Sequence, residues 1–129
     1  MIKGLLEQVP PFVPSDLHVM TVEIDVPPGD AGTPPHRHSG PVFGYVLEGE
    51  LVYELEGEAE QVLKAGEAFW EPGGDVIHYQ AGNNRDDVPV RFVAVMMCAQ
   101  GKPMLTPVEP EELEARRSRR APRPANARF

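Results

Sequence analysis

Turn-forming residues punctuate this chain so densely that no long amphipathic helix fits before residue 109. The 15 prolines and 12 glycines fall largely between short apolar stretches. Proline removes a backbone donor and glycine supplies the freedom tight turns need, so such a chain favours short strands joined by loops. His18 to Val26 alternates, with Met20, Val22, Ile24 and Val26 set against Val19, Thr21, Glu23 and Asp25. That period of two predicts a half-buried strand with its even positions inward. Val42 to Glu48 and Leu51 to Leu55 follow around a Glu48-Gly49-Glu50 turn, with Leu51, Tyr53 and Leu55 on one face. Gln61 to Lys64 and Glu67 to Glu71 flank Ala65-Gly66, and Pro72-Gly73-Gly74 is a further turn. Val76 to Gln80 carries His78, and Val88 to Cys98 is the longest apolar strand. Short strands at fairly even spacing point to an all-β antiparallel sandwich or barrel.

The chain's 129 residues suit one domain. Residues 1–106 read as the barrel with an N-terminal arm or edge strand, and residues 107–129 as a C-terminal helix and basic tail. Within the latter, Glu109 to Arg120 is the one helical candidate, with acids first and arginines last, an order that suits the helix dipole. Pro122 and Pro124 stop it, and the remainder is expected to be mobile and solvated. The formal charge of −8 repels phosphate backbones, so no nucleic-acid partner is expected. The arginines beyond residue 115 make the barrel itself more acidic still. A single cysteine, Cys98, excludes an internal disulfide. It ends an apolar run and reads as a buried, inert thiol. No apolar run approaches the length of a membrane span, and the first residues lack the basic start and apolar stretch of a secretory signal. A cytoplasmic location with no membrane partner is therefore expected.

Three of the four histidines carry the chemistry. His36 and His38 are two apart, and on an extended chain such side chains share a face, so two imidazoles can converge on one ion. His78 lies much later, inside a strand, and antiparallel pairing can bring it beside them. Imidazoles suit Fe, Zn, Ni, Mn or Cu, and affinity alone does not choose among these. His18 reads as structural or exposed. An isolated pair of this kind is weak evidence for metal; the surrounding residues strengthen it. Gly29 to Gly32 precedes His36-Arg37-His38, and Glu48-Gly49-Glu50 follows. A second segment runs from Gly66 through Pro72-Gly73-Gly74 to His78, with Asn83 and Asn84 beyond. Over about residues 18–98 the chain resembles the cupin superfamily, whose two motifs occur in this order and at this separation. The resemblance implies a small single-domain cupin jelly-roll barrel (a double-stranded β-helix). It also implies one divalent metal ion inside the barrel mouth, on His36, His38 and His78.

One departure stands out. The glutamate of the first motif would fall near Val42, and Ser39 to Gly44 contains no carboxylate. The resemblance then implies an open three-histidine centre, more positive by about one charge than the usual site. Glu71 is the nearest substitute, as a second-sphere partner, a catalytic base or a distant fourth ligand. Tyr45 and Tyr79 could orient a ligand but read better as packing residues. Phe43, Phe69, Trp70 and Phe92 could line an apolar pocket, with at most one of Phe69 and Trp70 pointing inward. Some metallocupins use three histidines, including small oxygenases that cleave carbon–carbon bonds. The leading expectation is thus a dioxygenase-like, metal-dependent enzyme on a small oxygenated organic substrate. A non-oxidative isomerase, decarboxylase or lyase, with Glu71 moving the proton, is the alternative, as is a non-catalytic binding or sensor cupin. Pairing through edge strands, as in other single-domain cupins, suggests a homodimer.

Overall fold

A computed structural model describes residues 1–129 and is all-β apart from one short helix. In chain order the strands are β1 (Leu17–Val26), β2 (His36–Arg37), β3 (Val42–Glu48), β4 (Glu50–Leu55), β5 (Gln61–Lys64), β6 (Ala68–Glu71), β7 (His78–Asn83), β8 (Val90–Ala99) and β9 (Thr106–Pro107). Helix α1 (Pro110–Ala115) and a 3-10 turn (Arg117–Arg119) follow. One sheet has four strands in the order β1-β8-β3-β6, and the other has five in the order β5-β4-β7-β2-β9. Every pairing between named strands is antiparallel.

The expected alternation holds in the long strands. Along β1 the even positions face inward, and β8 alternates buried and half-buried from Val90 to Ala99. Their apolar faces meet Val46, Leu51, Tyr53, Leu55, Phe69 and Ala81 in the main core. Phe69 turns inward against Tyr53 and Phe92, while Trp70 stacks on Phe43 outside. Gly44 makes this possible, because a Cβ there would sit 2.1 Å from the Phe69 ring.

Several boundaries differ from the sequence reading. Val76 and Ile77 lie outside the strand, and β7 runs from His78 to Asn83. Residues 1–16 form no strand. The two-residue strands β2 and β9 are too short to carry a periodic signal. The helix is shorter than expected and has no basic residue in its last turn.

The tail is not free in solvent, contrary to expectation. Arg116 pairs with Glu56, Asp75 and Glu112, Arg120 with Glu54, Arg123 with Glu60 and Arg128 with Asp86. The acidic excess of the barrel is the reason: the tail's cations find carboxylates on its outer surface. Arg120 also lies over the Tyr79 ring, 4.4 Å from its centroid. No helix is long and apolar enough to cross a membrane.

Candidate metal centre

Strand pairing assembles the site. His36 stands opposite His78 in the β2–β7 pair. His38 follows on the same face, two residues along an extended chain. The Pro72-Gly73-Gly74 turn seats against this segment, with the Gly74 N–H donating to the His38 carbonyl at 2.8 Å. Gly73 has φ +74°, and a Cβ on it would lie 2.2 Å from the Gly40 oxygen. Only glycine permits this approach, so the turn that precedes His78 also locks onto the histidine pair.

The fourth group comes from β6. Val42 of β3 stands directly opposite Glu71. The carboxylate missing at Val42 is therefore supplied one strand over, at the same level of the barrel. His36, His38, Glu71 and His78 are all buried, and their donor atoms lie within 4.8 Å of one another. The bare three-histidine centre expected from the sequence is thus a group of three histidines and one glutamate.

The hydrogen bonds define which ring atoms face the centre. His36 Nδ1 lies 2.8 Å from the Pro34 carbonyl, and His38 Nδ1 lies 2.8 Å from the Met104 carbonyl. A carbonyl only accepts, so each Nδ1 carries the proton and each neutral ring turns an Nε2 lone pair inward. Those two Nε2 atoms are 3.1 Å apart. Two lone pairs at that distance repel unless a proton or a metal cation lies between them. Glu71 Oε1 is 3.1 Å from His78 Nδ1, and Oε2 is 3.5 Å from His38 Nε2. Neither nitrogen of His78 has a hydrogen-bond partner of acceptable geometry, although the ring is buried. Buried polar atoms are rarely left so, and here they stand within one tight group of candidate metal ligands. The set fits a divalent transition metal, with nitrogen and carboxylate ligands and with the His36 and His38 rings each held by a backbone carbonyl.

Electrostatics keep the His36 ring neutral and Glu71 ionised at neutral pH, and favour the charged form of His78 in the metal-free group. Burial and the neighbouring His78 lower the His36 pKa from 6.5 to about 4. Burial alone would drive Glu71 upward, but the surrounding histidines outweigh it and hold the carboxyl below its usual range. His78 is raised, because Glu71 beside it outweighs its burial.

Tyr53 escaped the sequence reading. Its ring centroid lies 5.1 Å from that of His78, and its hydroxyl donates to the Trp70 carbonyl, one residue before Glu71. It props both ligand segments. The inward positions Leu51, Tyr53 and Leu55 placed it in the core, but nothing local tied it to the site. In β7 the register slips between Glu54 opposite Gln80 and Leu55 opposite His78. This bulge adds one residue, so His78 and Ala81 both reach the interior while Tyr79 packs outside on Ile77 and Val108. Tyr45 is exposed, and Phe43 and Trp70 lie outside, leaving Phe69 and Phe92 as the aromatic lining of the cavity. Cys98 is buried, as expected, and His18 is exposed.

A family model for the cupin domain matches residues 22–96, more than half of the chain and all of the ligand set. The chain belongs to the cupin family. Solved cupin structures superpose on it. The polyketide cyclase RemF from Streptomyces resistomycificus is 28% identical over 74% of this chain, with a TM-score of 0.54. A predicted oxalate decarboxylase from Thermotoga maritima is 26% identical over 64% of this chain and 68% of its own, with a TM-score of 0.52. An oxalate oxidase in complex with glycolate is 26% identical over 77% of this chain and 56% of its own, with a TM-score of 0.55. The chain spans 63% of the length of the polyketide cyclase. No curated protein matches it significantly.

Proposed function

We propose that this cupin is a metal-dependent, dioxygenase-like enzyme acting on a small oxygenated organic compound, with His36, His38, His78 and Glu71 as the ligands of one divalent ion. The observation that carries the reading is the pair of Nε2 lone pairs, locked inward by the Pro34 and Met104 carbonyls and joined by the unpartnered His78 ring and Glu71. A divalent ion held there would supply Lewis acidity and, if redox-active, a means of activating dioxygen.

The protein's own contributions follow from the cavity. It adjoins the four ligands and is otherwise lined by apolar side chains, with Thr33 the one further polar residue. Such walls exclude water and leave a substrate to be oriented by its oxygen at the ligand end and by packing at the other. No titratable side chain other than the four lines the space. An isomerase or lyase mechanism needs a group to move protons, and Glu71 would have to leave its ligand role to do so. That favours oxidative chemistry over the non-oxidative alternative. Metal-free protein reloaded with Fe(II) should consume oxygen in the presence of a suitable small enolisable or hydroxylated substrate. Turnover that proceeds equally with Zn(II) under anaerobic conditions would overturn the oxidative reading and favour the Lewis-acid one.

A further inference from the structure

The walls of the cavity restrict the charge of its ligand as well as its size. Apart from His36, His38, Glu71 and His78, the lining includes Val42, Leu51, Phe69, Phe92, Ala94 and Met96, and no lysine or arginine reaches it. The nearby guanidinium of Arg37 points the other way, to Glu112 and the Asp75 carbonyl. The charge inside is therefore set by the ligand group alone. With a divalent ion, three neutral imidazoles and one carboxylate leave a single positive charge. A ligand carrying one negative charge neutralises it. A dianion would leave a net negative charge in an apolar chamber with no cation to pair it, which is strongly unfavourable. Glu71 decides this, because the bare three-histidine centre would keep two positive charges and suit a dianion. The cavity volume of about 40 Å³ keeps that ligand small.

We infer that the site selects small monoanions with a single oxygen-donor end and a short apolar body, and that it discriminates against dicarboxylates. This rests on the metal-centre reading above.

Propionate, malonate and propionamide test it. They share a three-carbon frame, and differ in carrying one charge, two charges or none. The purified full chain would be loaded with Co(II), its metal content measured, and each compound titrated while the visible Co(II) spectrum is followed. Metal content would be measured again at the end. Propionate is expected to perturb the spectrum at a concentration at least tenfold below that needed for malonate or propionamide. Malonate or propionamide binding as tightly as propionate with the ion retained would overturn the inference. So would a spectrum that none of the three perturbs. Failure to take up Co(II) at the outset would instead count against the metal centre itself. Glu71→Gln, if it retains the ion, is expected to narrow or reverse the preference for propionate over malonate. An unchanged preference in that variant would show that Glu71 does not set it.

Discussion

Two polar clusters lie on either side of strand β2, and they are built on opposite principles. Inside the barrel, His36, His38, His78 and Glu71 converge with lone pairs facing one another and ring nitrogens without partners. Outside, Arg37, Glu56, Asp75, Glu112 and Arg116 form a closed network in which every charge meets an opposite one. The outer cluster is complete as it stands. The inner one is complete only with a cation. The outer cluster also holds the inner one in shape. Arg37 sits between His36 and His38, Asp75 lies three residues before His78, and Arg116 and Glu112 tie both to the C-terminal segment.

This contrast predicts a ranked set of effects. The largest should come from breaking the inner cluster. His78→Ala or His36→Ala is expected to abolish stoichiometric metal, and Glu71→Ala to weaken affinity by about a hundredfold, both read by metal analysis of untagged protein after dialysis. Full metal retention in either histidine variant would sink the centre proposed here. Next comes the hub of the outer network. Arg116→Ala leaves the half-buried Glu56 carboxylate without its partner and should cost about 2 kcal/mol of stability in chemical denaturation of the metal-free protein. An effect as small as that of an exposed ion pair would show the tail to be dispensable.

Arg37→Ala should separate the two roles. Its ion pairs are half-exposed, so stability should fall by only about 1 kcal/mol, while metal affinity falls severalfold because the histidine strand loses its outer tether. Equal metal affinity in this variant would mean that the two faces are independent. The smallest effect concerns protonation. In metal-free protein the His36 ring should stay neutral as pH falls through 6.5 and become charged only near about 4. An unfolded chain takes up that proton at the higher value, so this group's contribution to stability declines across the same window as pH drops. Histidine ring resonances followed by NMR against pH would show it.

Much of this was legible in the chain. The strands follow from apolar alternation between turn residues, and the inward faces of β1 and β4 were read correctly because residues two apart on a strand share a face. The histidine pair and His78 were legible because their spacing, with the glycine and proline turns around them, matches two ordered motifs. The docked tail was not legible, although its cause was visible as an acidic barrel and a basic terminus. Screened surface charges do not announce which partners they will find. Strands of two residues, such as β2 and β9, lie below the length at which any periodicity exists.

The carboxylate at the centre marks the boundary between the two kinds of knowledge. Reading along the chain, Val42 occupies the place expected for a glutamate, and Glu71 is the nearest substitute, its role open between second-sphere partner, base and distant ligand. Their relation exists only across the β3–β6 ladder, where they stand opposite one another. Local residue chemistry sets which segments become strands and which side chains can bind a metal. The register between strands far apart in sequence depends on how the whole core packs, so the folded barrel alone brings Glu71 to the histidines. That placement sets the charge of the site.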